Sequence, residues 1–96
     1  MYQIFYEEEA ETDLIEIIIF YSESRGIEYG RQINNIILSS VKSLEKMPFR
    51  SRQSDLIPNV REFLIRKLPY KVFIKVDDET KKVFILNIIH TSRKFP

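Results

Sequence analysis

The chain contains no cysteine and no tryptophan, and it has one histidine and two glycines among its 96 residues. Without cysteine it can form no disulfide framework, no thiolate metal site and no cysteine nucleophile. A single histidine also excludes a metal centre built on several histidines. We therefore expect neither a metal nor a cofactor. The absence of cysteine fits a reducing compartment.

Long apolar runs are also absent. The richest apolar stretch, Leu14–Tyr21, is interrupted by Glu16 and is much shorter than the roughly 20 residues that cross a bilayer. The N-terminus leads into Glu7, Glu8 and Glu9 and lacks the basic and apolar pattern of a signal peptide. The sequence therefore predicts a cytoplasmic protein that does not enter a membrane.

Charge is spread unevenly along the chain, although the net charge is only +1. Residues 1–48 contain four Lys/Arg and nine Asp/Glu, and residues 49–96 contain eleven and five. A basic half can attract nucleic acid or an acidic protein segment. Alternatively, the uneven charge has no function, and the acidic and basic residues simply lie on different solvent-exposed faces. The length and the 44% hydrophobic content predict one globular domain, residues 1–96.

Two helices are predicted in the first half. Over Glu8–Ser24, apolar residues recur at spacings of three and four behind an acidic start, and Gly26 provides a stop. The composition of IEIIIFY alone would favour a strand, so this helix depends on periodicity and end signals. A second helix is predicted over Ile27–Met47, ended by Pro48. Its apolar stripe lies on one side and consists of Tyr29, Ile33, Ile36, Ile37, Val41 and Leu44. The short connection predicts an antiparallel helical hairpin.

Strands are predicted around this hairpin. Tyr2–Tyr6 and Val60–Leu68 alternate, and Tyr70–Val76 with Lys82–Ile89 has the pattern of a β-hairpin. Phe49–Asn59 lacks a period and is predicted to be a loop. The expected fold is α+β with the order βααβββ, in which the N-terminal strand and the helical hairpin pack on one face of a small, mostly antiparallel sheet.

Several segments together resemble the RelE/ParE superfamily of toxins from bacterial type II toxin-antitoxin systems. They are Ala10 and Leu14 in the first helix, the proline that ends the second, and the runs VREF, PYKVFIKV and IIHTSRKFP. The resemblance covers nearly the whole chain and is closest to ParE-like members. It implies a toxin held silent by a cognate antitoxin, in a higher-order complex. ParE-like members interfere with DNA gyrase, whereas RelE-like members cut mRNA on the ribosome.

Two positions separate the chain from the RelE-like enzymes. Glu62 and Leu64 stand where those enzymes have lysines, although Lys71 keeps a cation at an arginine position. Neither a carboxylate nor an aliphatic side chain stabilises the charge that builds up in RNA cleavage. The resemblance therefore favours a non-enzymatic, ParE-like action on gyrase. A RelE-like mRNA endonuclease and an inactive module of the same fold remain alternatives.

Candidate site residues follow from these hypotheses. The target-binding element is predicted at Arg93, Lys94 and Phe95, with a frayed C-terminus as the alternative. An endonuclease would use His90, Arg61, Lys71 and Arg93, although His90 could simply cap the last strand, and Arg61 and Glu62 could be a solvated surface pair. Basic residues are predicted to bind the antitoxin, namely Arg50, Arg52, Arg61, Arg66 and Lys67.

Overall fold

A computed structural model describes residues 1–92 of the chain. Its elements, in chain order, are β1 (Gln3–Tyr6), α1 (Glu8–Arg25), α2 (Ile27–Lys42), 3₁₀ turns at Ser43–Glu45 and Pro48–Arg50, β2 (Arg52–Gln53), β3 (Arg61–Leu64), β4 (Tyr70–Asp77) and β5 (Lys82–His90). The sheet order is β1-β5-β4-β3-β2, with β1 parallel to β5 and the other neighbours antiparallel. The predicted α+β fold is confirmed.

Helix α1 forms despite its β-branched and aromatic residues. Three acidic residues occupy its first turn and Arg25 its last, which suits the helix dipole at both ends. Gly26 ends the helix with a φ of 100°, a conformation that side chains with a Cβ rarely adopt. Ala10 and Ile17 are buried against the sheet, while Phe20 remains exposed. Tertiary packing and end signals therefore override the local strand propensity.

The two helices approach closely near the start of α2. A Cβ on Gly30 would overlap the Ser22 hydroxyl oxygen and would lie 3.1 Å from the Ile18 carbonyl oxygen. Glycine at this position therefore allows the close contact between α1 and α2, which the sequence pattern could only register as a cost to helix stability. The hairpin then packs as a single layer on the sheet, with Ile33, Ile37 and Val41 of α2 buried.

Three predicted boundaries were wrong. Helix α2 ends at Lys42, not at Met47, because the chain tightens into a 3₁₀ turn over Ser43–Glu45. The predicted loop 49–59 contains a 3₁₀ turn and strand β2. The strand predicted over Val60–Leu68 is limited to Arg61–Leu64. The amide of Ile65 already donates to the Tyr70 carbonyl at 3.0 Å, so the chain turns immediately into β4.

Within residues 1–92, helices cover one face of the sheet and leave the other face without helices. Ile4, Val72, Ile74, Val83 and Ile85 belong to the core beneath the helices. Because neighbouring side chains on a strand point to opposite faces, the residues between them lie on the other face. A bulge interrupts this alternation, since Phe73 pairs with Asn87 whereas Ile74 pairs with Ile85, leaving Leu86 as an extra residue in β5.

A polar cluster holds strand β1 in place on the hairpin of β4 and β5. The Tyr2 hydroxyl donates to the Asp78 carboxylate, and Lys81 Nζ lies 3.0 Å from the same carboxylate. The hydrogen bonds from Tyr2 and Lys81 lower the pKa of Asp78, and the bond to Asp78 raises the pKa of Tyr2. At neutral pH the carboxylate therefore stays ionised and connects the start of β1 to the turn.

Candidate functional site

A basic cleft of about 810 Å³ lies between helix α2 and the edge of the sheet formed by β2 and β3. Serines of α2 form one wall, and Phe63 with Leu64 contributes apolar surface to the other. Four cationic side chains line it, namely Arg50, Arg52, Arg66 and Lys67. We call this surface the basic cleft. It offers positive charge around an apolar strip, a combination that suits an acidic segment with some apolar side chains.

Four of the five predicted antitoxin-binding residues are thus brought together, and Arg61 is not among them. Its Nε donates to the Ser51 hydroxyl at 2.9 Å and its Nη2 to the Ser51 carbonyl at 2.6 Å. Its guanidinium also lies 5.1 Å from the centre of the Phe49 ring. Arg61 therefore braces the segment before β2, and its side chain is committed to that role.

The carboxylate of Glu62 lies within the basic cleft between two cations. Its Oε1 is 3.6 Å from Arg52 Nη2 and 3.7 Å from Lys71 Nζ, and its side chain is only 11% exposed. Arg61 and Glu62 are therefore not a solvated surface pair, since each has other partners. Glu62 therefore offsets part of the positive charge of Arg52 in the cleft and of Lys71 beside it.

A second cleft, of about 820 Å³, lies between α1 and the ends of β4 and β5. Its helix wall is acidic, with Glu9, Asp13 and Glu16. Asp13 accepts a hydrogen bond of 2.9 Å from the Ile88 amide and a longer one from the Asn87 side chain. The Asp13 carboxylate therefore stabilises the fold, because it accepts the hydrogen bond of a backbone amide of β5 next to the bulge.

His90 lies in this second cleft at the end of β5. Its ring packs edge-on against Tyr70 at 5.3 Å, and its Nδ1 accepts the Ser92 amide hydrogen bond at 3.2 Å. The Ser92 hydroxyl lies 2.8 Å from the same nitrogen. These contacts are those expected of a histidine that caps the last strand. They also orient the ring, as an acid or base would require.

The residues of the endonuclease hypothesis do not converge within residues 1–92. Arg61 pairs with Ile74 of β4, and His90 pairs with Tyr70 of the same strand. These two partners are four residues apart, so Arg61 and His90 are separated by about 13 Å along the strand direction. Lys71 alternates with the core residue Val72 and lies on the face without helices. Arg93 lies outside the described residues, as do Lys94 and Phe95 of the predicted target-binding element.

Sequence reasoning missed the ion pairs of Glu62 and the hydrogen bond that the Ile88 amide of β5 donates to Asp13. The partner Arg52 lies on a two-residue strand inside a segment without periodicity, so no pattern indicated the pairing. Asn87 did interrupt an otherwise apolar run, and that interruption was the available signal for the bulge. Among the described residues, no group of three or more His, Asp or Glu side chains could hold a metal ion. None of their helices is long and apolar enough to cross a membrane.

A comparison with family models identifies the family of this chain. The family model for the ParE toxin of the type II toxin-antitoxin system parDE matches residues 4–95. A comparison with curated protein sequences found no significant match. The chain is similar to a solved chain from the chromosomal ParDE system of P. aeruginosa, with a TM-score of 0.83 and 25% identity over 94% of this chain and 96% of that one.

Two more distant structures share the fold. One is from the RelBE2 complex of Mycobacterium tuberculosis, with a TM-score of 0.69 and 18% identity over 93% of this chain and 96% of that one. The other is from the intact E. coli RelBE complex, with a TM-score of 0.70 and 15% identity over 97% of this chain and all of that one. From the family match over nearly its full length, we conclude that the chain belongs to the ParE toxin family of type II toxin-antitoxin systems.

Proposed function

We propose that this ParE-family toxin stops bacterial growth by acting on DNA gyrase without hydrolytic chemistry, and that a cognate antitoxin neutralises it in the cytoplasm. The observation that carries the proposal is the position of Glu62 between Arg52 and Lys71. A carboxylate there repels the phosphate of an RNA substrate. It also reduces the attraction of the two nearest cations for that phosphate, because it offsets part of their positive charge. The family resemblance supplies gyrase as the target.

The chemistry of RNA cleavage has little support at this surface. Cleavage by 2′-hydroxyl attack needs a group that accepts a proton, a group that donates one, and cations beside the phosphate. Leu64 is 61% exposed next to Glu62 and offers none of these functions. Arg61 is held by Ser51, and His90 lies in the other cleft. A toxin that acts by occupying a protein surface needs no such arrangement.

The proposed site for the antitoxin is the basic cleft. Arg50 and Arg66 lie at its exposed rim, while Ile36 and Phe63 provide apolar contact inside. An otherwise flexible acidic segment could therefore place carboxylates on the rim and apolar side chains between α2 and β3. The similar structures come from ParDE and RelBE toxin-antitoxin systems, which supports an antitoxin as the partner.

Growth measurements on two variants test the proposed action. We expect His90→Ala to retain growth arrest in cells that lack the antitoxin, because gyrase inhibition needs no acid or base. After removal of residues 93–96, growth arrest should require an inducer concentration at least roughly tenfold higher. That segment carries arginine and aromatic side chains, which usually anchor an interface. Immunoblots would establish equal amounts of each variant.

The opposite pattern would favour the RelE-like endonuclease. If His90→Ala abolished growth arrest while the truncated chain remained fully toxic, the histidine would be catalytic and the gyrase proposal would be wrong. Retained binding of His90→Ala to the antitoxin would show that the variant is folded. An arrest that neither change affects would contradict both assignments of the site.

A further inference from the structure

The face of the sheet without helices contains an aromatic pair flanked by lysines. Phe5 of β1 stacks on Phe84 of β5, with ring centroids 5.7 Å apart and an interplanar angle of 23°. Phe84 pairs in turn with Lys75 of β4, so the three side chains form one row across three strands. Lys82 Nζ lies 5.6 Å from the centre of the Phe5 ring. We call these four residues the aromatic platform.

The aromatic platform is accessible and is distinct from both clefts. Phe5 is 38% exposed, Lys75 is exposed, and Phe84 and Lys82 are half-buried. None of the four residues lines the basic cleft or the second cleft beside α1. The strand order also separates the platform, on β1, β5 and β4, from the basic cleft at the β2 and β3 edge. A ligand on the platform would therefore meet its own set of side chains.

We infer that the aromatic platform binds single-stranded nucleic acid. Stacked aromatic rings on an open sheet face accept unpaired bases, and lysines beside them attract the phosphates of the same strand. Lys75 and Lys82 lie in adjacent rows of the same face, two residues or about 6.6 Å apart along the β-strands. Both can therefore reach the phosphates of one nucleic-acid chain. A paired duplex offers no free base face to the rings.

The carboxylate that faces Lys82 across the strands does not oppose this ligand strongly. Asp77 pairs with Lys82 across the strands, but its Oδ1 accepts hydrogen bonds from the amides of Glu79 and Thr80 at 3.1 and 3.3 Å. Its carboxylate is thus directed into the turn. An acidic peptide could pair with the two lysines and pack apolar side chains against the rings, but only flat bases can stack on the rings while the phosphates of the same chain meet the lysines. The aromatic pair therefore favours nucleic acid over a peptide.

Fluorescence anisotropy with the purified full chain tests this inference directly. The probe is an oligothymidylate of about 12 nucleotides. At about 150 mM salt we expect a Kd on the order of 10⁻⁴ to 10⁻⁶ M, the range of non-specific nucleic-acid binding, and tighter binding at lower salt. Phe5→Thr/Phe84→Thr should weaken binding by roughly tenfold or more, because the bases can no longer stack on the rings. A duplex of the same length should bind more weakly than the single strand.

The two lysines have a separate signature. For single-stranded nucleic acid, log K falls with log salt, and each phosphate that the protein neutralises adds about 0.7 to the steepness of this fall. Lys75→Gln/Lys82→Gln should therefore make the slope shallower by about 1.4. Arg31→Gln/Lys42→Gln is the matched control, since it removes the same charge from exposed positions on α2. Residues 93–96 are identical in all these variants and contribute equally to any background.

Three results would overturn the inference. The first is no binding of the oligothymidylate at low salt. The second is an equal loss of binding in the α2 control, which would indicate only general attraction to positive charge. The third is competition by polyglutamate that exceeds competition by unlabelled oligothymidylate, which would identify an acidic-peptide surface. Circular dichroism on the threonine variants would establish that they remain folded. The measurement involves neither gyrase nor antitoxin, so its failure leaves the proposed function untouched.

Discussion

Reversing two charges at the rim of the basic cleft should release the toxin from its antitoxin. We expect Arg50→Glu/Arg66→Glu to weaken the affinity for the antitoxin encoded next to this chain by roughly a hundredfold. Both side chains are exposed at the cleft and should face the acidic segment of the partner. Converting an attractive contact into a repulsive one costs about 1.4 kcal/mol or more per position, or about tenfold each.

Calorimetric titration of the purified toxin with antitoxin would measure this loss. Arg31→Glu/Lys75→Glu makes the same change in net charge at exposed positions outside the cleft, and it should reduce the affinity only slightly. The difference between the two variants should also shrink at high salt, because exposed charges are screened. Equal losses in the two variants would contradict the location of the antitoxin site at this cleft.

Truncating one core residue of α2 should have the second large effect. Ile37 is 0% exposed and packs in the core between α2 and the sheet. Ile37→Ala should lower the free energy of unfolding by about 2–5 kcal/mol, since it leaves a cavity in addition to the lost transfer energy. For a domain of this size, the corresponding fall in Tm is roughly 10–25 °C.

The neighbouring residue provides a matched control for thermal unfolding. Leu38 has the same number of carbon atoms but is 39% exposed on the same helix. Leu38→Ala should therefore cost no more than about 1 kcal/mol. If the two variants unfolded at the same temperature, the face of α2 that contacts the sheet would be assigned wrongly. The wall of the basic cleft would then be misplaced as well.

The fold was predictable wherever one signal dominated. The periodic stripe of α2 correctly identified Ile33, Ile37 and Val41 as core positions. For α1, the acidic start and Gly26 outweighed a composition typical of strands, and the predicted helix was one residue short at its C-terminus. These elements depend on local patterns that repeat over several turns, so the sequence alone was sufficient.

The candidate site was less predictable because its contacts join distant parts of the chain. Strand β2 has only two residues, and its pairing with β3 brings Arg52 to Glu62. Arg61 looks equivalent to the other arginines in the sequence, yet a serine ten residues earlier binds its guanidinium. The stacking of Phe5 on Phe84 depends on the parallel register of the first and last strands. No local pattern encodes such pairings.

The most direct test of the proposed action is pulse labelling in bacteria that express this chain without its antitoxin. DNA synthesis and protein synthesis would be followed together over the first minutes after induction. A toxin that acts on gyrase should stop DNA synthesis first and induce a DNA-damage response, while protein synthesis continues. An early collapse of protein synthesis with DNA synthesis intact would contradict the proposal. It would mean that the carboxylate of Glu62 is compatible with RNA cleavage and would make His90 the first catalytic candidate.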